Sequence, residues 1–496
     1  MSSINTVLIA NRGEIAVRII RACHRLGKRA VVVYHEVDQD TLAVRLADAA
    51  LRIDGPTPVA AYLSINNILA ACKELGADAV HPGFGFLSEN AEFARRLETV
   101  GVRFIGPGVD AIAAMGDKIQ SKRLAQQAGV NTIPGFDGEI VDADHAYEVA
   151  CSIGLPVIIK ASAGGGGKGM RVVHDAGRDA CREAFDRTRA EALAAFGDAR
   201  VFIEKYIERP RHIEIQVLGD HHGNVVHLGE RECSIQRRHQ KIIEEAPSSF
   251  VDEQLRQAMG TQAVALAKAV DYASAGTVEF VVDANGGFYF LEMNTRIQVE
   301  HPVTEMITGL DLVAEQIRIA EGDALGYGQS DIQLNGHAIE CRLCAEDSVR
   351  DFMPATGRLE SFQPPQIEGF RLDSGVREGD VIGSSFDSML AKLIVHGATR
   401  NDAITRMRAV LEEMVVLGVT TNATYLERVL ANPAFVAGDT TTSFLDEHKA
   451  ELADPLPTPE QISVVVAAAL LTNRTLADTR FTPPSIFAAM GAWRNQ

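Results

Sequence analysis

One stretch of the chain collects side chains that could act together on a phosphate and a small anion. After the apolar residues 288–291 comes Glu292-Met-Asn294-Thr-Arg296-Ile-Gln298-Val-Glu300, with a polar residue at every second position. On a strand, a period of two sends all five to one face. A carboxylate, an amide, a guanidinium, a second amide and a second carboxylate on one surface can hold a divalent cation and an oxyanion together. Magnesium takes a few hard oxygens and leaves room for substrate phosphates, so Glu292 and Glu279, the latter in Thr277-Val-Glu-Phe-Val, are the expected ligands. A solvated strand face would show the same alternation. The run ends, however, in Gln298-Val-Glu-His-Pro, a turn of the kind that carries catalytic residues.

A second stretch, Ala163-Gly-Gly-Gly-Gly-Lys168-Gly169, comes after an apolar run ending at Lys160. Backbone amides without side chains can wrap phosphate oxygens closely. Gly164, Gly166 and Gly169 satisfy G-x-G-x-x-G, but Met170-Arg-Val-Val-His reads as a strand where a dinucleotide site needs a helix. The P-loop pattern fails as well, because position 162 is serine and no Ser or Thr comes after Lys168. There remains a glycine flap between two strands, able to fold over an anion; a plain hairpin tip is the alternative. Arg231, Arg237, Arg238 and Lys241 fall within eleven residues and suggest a cationic wall for a substrate anion, or else a solvated cluster. Lys118 and Lys160 are isolated cations, and each alone reads as surface.

The elements that must position these residues alternate first and pair later. Residues 7–10 read as a buried strand, 14–26 as an amphipathic helix ended by Gly27, and 30–34 as a second strand. The pattern recurs at 77–80 and 102–105. Alternation of this kind implies a parallel sheet covered by helices, hence an α/β, doubly wound N-terminal domain at about 1–115. From 206 to about 335, strands at 213–218, 225–229, 276–282 and 288–293 are separated by Gly/Asn/Asp turns, as in antiparallel hairpins. Strands and a helix at 400–414 fill 336–450. Residues 451–496 read as a linker and one apolar helix, with Trp493 the sole tryptophan.

Whole-chain properties exclude some partners. The 496 residues carry a net charge of −18, unsuited to nucleic acid or an anionic membrane. Seven scattered cysteines fit a reducing compartment, and Cys341-x-x-Cys344 has no second pair to complete a metal site. The start lacks the features of a signal or transit peptide, and the apolar run at 462–471 is too short to span a bilayer. Cytoplasm is therefore expected.

Taken together, Ala10-Asn-Arg-Gly-Glu-Ile-Ala, His81-Pro-Gly-Phe-Gly-Phe-Leu-Ser-Glu-Asn, the glycine loop, Arg211-His-Ile-Glu-Ile-Gln-Val, Gln236-Arg-Arg-His-Gln-Lys and Glu292-Met-Asn-Thr-Arg-Ile-Gln-Val-Glu-His-Pro closely resemble biotin carboxylases over about residues 4–450. The match is nearest to the biotin-carboxylase part of acyl-CoA carboxylase alpha subunits, the propionyl-CoA type included. The resemblance implies α+β architecture overall: a Rossmann-like pre-ATP-grasp domain (1–115), an ATP-grasp domain (116–335) with a mobile lid (134–205), a C-terminal biotin-carboxylase domain (336–450) and a tail (451–496). It implies ATP, Mg²⁺ or Mn²⁺, and biotin carried on another chain or domain. The partners it implies are a biotin carrier protein or domain, a carboxyltransferase and a second copy of the carboxylase part.

Carried over residue by residue, Lys118, Lys160, Gly165, Gly166, Glu204, Lys205, Ile207, His212, Gln236 and His239 match ATP contacts. Glu279, Glu292 and Asn294 match the metal ligands. Lys241, Arg296, Gln298 and Val299 match the bicarbonate pocket, Glu300 the base that deprotonates bicarbonate, and Arg342 the cation facing the ureido oxygen of biotin. Phe84 and Phe386 stand where many bacterial members carry Tyr. No Ala-Met-Lys-Met occurs, so no lysine of this sequence is set to carry biotin. The carboxylase part of a pyruvate carboxylase and another ATP-grasp ligase, making a carbamoyl phosphate or a purine intermediate, are the enzyme alternatives; a nucleotide-binding regulatory protein is the non-enzyme one.

Overall fold

The computed structural model describes residues 3–136, 138–163, 169–174, 177–454 and 458–480. It opens with five parallel strands in the order Ala49–Arg52, Arg29–Tyr34, Thr6–Ile9, Ala79–His81, Arg103–Phe104. Thr6–Ile9 is buried along its whole length, as expected of an apolar central strand covered on both faces. The helix Gly13–Arg25 lays Ile15, Val17, Ile19, Ile20 and Cys23 into the core on one side. Two loops at the strand ends are tied together, because the Asn11 amide donates to the carbonyls of Pro82 and Phe84, both at 2.7 Å. Gly83 makes that approach possible: it has φ +61°, and a Cβ there would lie 2.9 Å from the Asn11 amide nitrogen. The tie holds the following loop, which carries Glu89.

A three-stranded antiparallel sheet, Met170–Val173, Val157–Ala161 and Val201–Lys205, has its own small core with the helices Ala143–Ile153 and Arg178–Phe196. The glycine loop's residues 164–168, Gly165 and Gly166 among them, lie outside the described residues.

The site rests on an eight-stranded antiparallel sheet. Its order is Phe288–Asn294, Ser274–Val282, Arg211–Gly219, Val225–Arg237, Gln240–Ala246, His337–Cys344, Met389–Gly397, Phe370–Ser374. The hairpin joining Ser274–Val282 to Phe288–Asn294 turns at Asp283-Ala-Asn-Gly-Gly, where the Asp283 carboxylate accepts from the amides of Asn285 and Gly287. Pairing between Gln240–Ala246 and His337–Cys344 carries the sheet without a break past residue 335.

Two sequence expectations fail here. Residues 292–300 are not one strand: pairing stops at Asn294, and Arg296, Gln298 and Glu300 stand on a loop that enters the helix His301–Thr308. Thr295 and Ile297 are buried, and Pro302 at the helix start cannot donate to a ladder, so the chain turns inward. Nor do the four cations at 231–241 form a wall. Arg231 is fully buried against Glu214 and Gln298, Arg237 packs between Glu346 and the Phe352 ring, Arg238 pairs with Asp351 at the surface, and Lys241 joins Glu214, Glu279 and Glu300.

Residues up to Leu452 form one compact unit and Ala453–Gln496 a second. In the second, the helix Pro459–Arg480 exposes Val464, Val465, Leu470 and Leu471. Trp493 lies outside the described residues. Among the described residues, no helix is long and apolar enough to cross a membrane.

Candidate active site

Lys241 is the point on which the site closes. Its ammonium lies 2.5 Å from Glu214 Oε2, 2.6 Å from Glu300 Oε1 and 3.1 Å from Glu279 Oε1. Three buried carboxylates around one cation repel one another, so further cations and hydrogen-bonding groups are needed. Arg231 reaches Glu214 at 2.5 Å, Arg342 reaches Glu300 Oε2 at 3.0 Å, and His212 Nε2 lies 3.0 Å from Glu279 Oε2. Burial alone would raise the Glu300 carboxyl, but Lys241, Arg342 and Arg231 hold it below the usual carboxylate range. Burial likewise opposes the charge of Lys241, and Glu214, Glu279 and Glu300 more than reverse that, so its pKa rises. Glu279 is held well below its ordinary value by Lys241 and His212 against the same burial. Glu279, Glu300 and Lys241 are thus all ionised at neutral pH.

The neighbouring loop is fixed by hydrogen bonds whose direction is set. Arg231 donates to Glu214, to Gln216 and Gln298 Oε1 at 2.6 Å each, to Thr304 at 2.9 Å and to Thr277 at 3.0 Å. With the Gln298 oxygen occupied, its amide nitrogen turns to Glu279 and donates at 2.8 Å. Asn294 donates to the same carboxylate at 2.8 Å and accepts from Arg296 at 2.9 Å. Arg296 also reaches Glu89 at 3.0 Å, joining the first domain to the loop. The result is a row of fixed donors, Arg296, Gln298 and Lys241, beside an ionised carboxylate.

Glu279 and Glu292 are direct cross-strand partners, and Lys118 Nζ stands 3.6 Å from Glu292. Side chains so paired stand on one face about 5 Å apart at Cβ. Two hard carboxylates with an amide oxygen suit Mg²⁺ or Mn²⁺ bridging to phosphates, so the donor set fits the expected ion. His212, Glu214 and Glu279 also bring ligand atoms within 4.8 Å of one another, but there Lys241 already supplies the positive charge.

Other expected residues fall elsewhere. Lys160 pairs with Glu204 at 2.9 Å, and Lys122 joins the same carboxylate at 2.9 Å, so Lys160 is buried where the sequence suggested surface. Lys205 donates to the carbonyls of Gly154 and Leu155, and Ile207 comes next but one, half-buried. Gln236 donates to the Cys233 carbonyl at 2.8 Å, and His239 is exposed at the hairpin tip; neither joins the ionic cluster. Val299 accepts through its backbone carbonyl from Lys392 at 2.8 Å. Arg342 is shared with a second buried acid, Glu244, at 2.5 Å. Phe386 lies under the Arg12 guanidinium, 3.8 Å from ring centre, and Phe84 packs on the apolar core.

Sequence reasoning gave no separate role to Glu89, Lys122, Glu214, Arg231, Glu244 or Lys392. A signal was present for one of them: Lys392 is a lone lysine inside an otherwise apolar strand, where a charge survives only if paired.

A parallel-sheet domain, a small sheet with a glycine loop and a large antiparallel sheet bearing paired acids define an ATP-grasp carboxylase fold. Family models agree in order: biotin carboxylase N-terminal domain over 3–112, carbamoyl-phosphate synthase L chain ATP-binding domain over 117–327, and biotin carboxylase C-terminal domain over 340–447. The chain is 55% identical over 444 residues to the human propionyl-CoA carboxylase alpha chain, covering 89% of this chain and 61% of that one. It is 52% identical to a pyruvate carboxylase subunit of Methanothermobacter thermautotrophicus, covering 89% and 90%. The biotin carboxylase domain of Hydrogenobacter thermophilus 2-oxoglutarate carboxylase, solved as a dimer with MgADP, ADP and bicarbonate, superposes with a TM-score of 0.89 at 46% identity, covering 92% of this chain and 100% of that one. The chain belongs to the biotin carboxylase family. It spans about 60% of the length of the mammalian propionyl-CoA carboxylase alpha chains it matches.

Proposed function

We propose that this chain carboxylates biotin, presented on a carrier protein or domain, using ATP and bicarbonate, as the biotin carboxylase part of an acyl-CoA carboxylase. The observation that carries the reading is Glu300 clamped between Lys241 and Arg342, beside the donors of Arg296 and Gln298.

Arg296, Lys241, Gln298 and the Val299 backbone hold bicarbonate against Glu300. The Glu300 carboxylate takes its proton, and the carbonate oxygen attacks the γ-phosphorus as the bond to ADP breaks, giving carboxyphosphate. A carboxylate held this far below its usual range is a weak base while both cations grip it. It becomes a stronger one as Lys241 turns part of its field to the new dianion. Lys118, Lys160 and His212 meet the phosphates, while Glu204, Lys205 and Ile207 line the adenine edge; Gln236, His239, Gly165 and Gly166 complete the ATP contacts. Glu279 and Glu292, with Asn294 assisting, would hold a divalent ion, which neutralises phosphate oxygens in the transferring group. Carboxyphosphate then breaks to carbon dioxide and phosphate. That phosphate takes the N1′ proton of biotin, and N1′ attacks carbon dioxide. Arg342, fixed by Glu244, stabilises the enolate oxygen, a contribution on the order of 3 kcal/mol for one donor of this kind. The segment 134–205 closes over the nucleotide and excludes water.

The domains run 1–115, 116–335 and 336–450, with 451–496 as a tail. Partners are the biotin carrier, a carboxyltransferase that selects the acyl acceptor, and a second copy of the chain; the compartment is the cytoplasm. A pyruvate carboxylase would use the same site. The test is ATP cleavage by the purified chain with bicarbonate, with and without free biotin. Bicarbonate-dependent cleavage stimulated by biotin supports the reading. Stimulation by ammonia or an amine instead points to another ATP-grasp ligase, and binding without cleavage to a regulatory protein.

A further inference from the structure

Lys392 has no part in the carboxylation steps, yet it is fully buried and tied to the site. It stands mid-strand in Met389–Gly397, in the apolar run Met389-Leu-Ala-Lys-Leu-Ile-Val. Its cross-strand partners are Arg342 on one side and Asp373 on the other, so the two cations and the acid share one face of the large sheet. The ammonium donates to the Val299 carbonyl at 2.8 Å and lies 3.2 Å from Glu14 Oε2 and 3.9 Å from Asp373 Oδ2. Glu14 belongs to the first turn of the first helix. One buried cation therefore joins the N-terminal domain, the C-terminal strands and the loop between Gln298 and Glu300.

The loop needs such a partner. Glu300 has φ −81° and ψ 9°, a sparsely populated backbone region, and it precedes the helix that opens with His301 and Pro302. Neither sheet pairing nor a helical bond holds the chain at Val299, and the peptide plane there orients the side chains on either side, Gln298 and Glu300.

We infer that Lys392 is a positioning residue: its bond to the Val299 carbonyl sets the bicarbonate-binding loop, while Asp373 on the neighbouring strand helps keep the lysine charged and Glu14 ties it to the first helix. The inference rests on the proposed biotin carboxylase reading. Lys392→Met keeps the aliphatic stem and removes the donor, and Lys392→Gln returns a neutral donor. Glu14→Gln leaves the Lys392 bond to the loop intact and alters only the tie to the first helix.

The experiment is bicarbonate-dependent ATP cleavage with free biotin, with KM measured separately for bicarbonate and ATP and folding checked by urea unfolding. For Lys392→Met the bicarbonate KM should rise tenfold or more with the ATP KM within twofold. Lys392→Gln should restore at least a third of the loss, and Glu14→Gln should leave the bicarbonate KM within twofold. A Lys392→Met enzyme with an unchanged bicarbonate KM, an equal rise in both KM values, or a Glu14→Gln enzyme as impaired as Lys392→Met would overturn the inference. Should the methionine variant not fold, Lys392→Gln carries the test alone: a bicarbonate KM raised at least twofold with the ATP KM unmoved supports the inference, and both unmoved defeats it. Failure of the functional reading looks different, because the wild-type chain itself would then show no bicarbonate-dependent cleavage.

Discussion

The two halves of the site are built differently. On the proposed bicarbonate side, Lys241, Glu214, Glu279, Arg231 and Arg342, on a sheet of eight strands, form one buried network with Glu300 of the adjoining loop. On the proposed nucleotide side, Lys160 and Glu204, on a sheet of three strands with its own core, form a separate triad with Lys122. The first half is set before substrate arrives, since its charges satisfy one another and cannot move singly without leaving one unpaired in a low dielectric. The second half is a small unit with a core of its own, which we propose shifts as a body over the nucleotide. On that proposal, preorganisation stands where charge develops, and adaptability where a large substrate must enter.

The largest expected effect tests the preorganised half. Glu300→Gln should lower the bicarbonate-dependent turnover by roughly 10²–10⁴, the range for loss of a general base, with ATP binding within about threefold. Single-turnover kinetics and nucleotide titration separate the two, and an unchanged turnover would remove Glu300 as the base. Next, Lys160→Met should raise the ATP KM by about tenfold, equivalent to ~1.4 kcal/mol, and leave the bicarbonate KM within twofold. If both constants rise together, the two halves are one cooperative unit rather than a rigid part and an adaptable one.

A third effect concerns stability rather than turnover. Burial raises the Glu14 carboxyl to about 7 despite Lys392 beside it. A carboxyl raised on folding gives stability that is fully present below its unfolded value and lost as pH climbs through the folded one. Wild type should therefore lose stability relative to Glu14→Gln between about pH 4.5 and 7, by at most roughly 1.4 kcal/mol per pH unit, and no further above pH 8. Urea unfolding of both proteins at pH 5, 6, 7 and 8.5 checks this; parallel curves would mean that Glu14 stays ionised in the folded chain.

Local pattern was readable in the residues alone. The βαβ opening, the hairpin at Asp283-Ala-Asn-Gly-Gly and the placing of Glu279 and Glu292 on its strands follow from periodicity and turn chemistry within a few positions of the chain. The reading of 292–300 as one strand failed because alternation says nothing about where ladder pairing stops; buried Thr295 and Ile297 and the proline at 302 decided that.

Convergence belonged to the tertiary structure. Lys392 meets Glu14 and Val299, Arg231 meets Gln298, and Arg296 meets Glu89, all across long stretches of chain. A lone lysine in an apolar strand is the same letter whether its ammonium finds solvent or two acids and a carbonyl. Only the stacking of the first helix against the large sheet gives it those partners, because a buried charge acquires its role from groups that sequence distance cannot reveal.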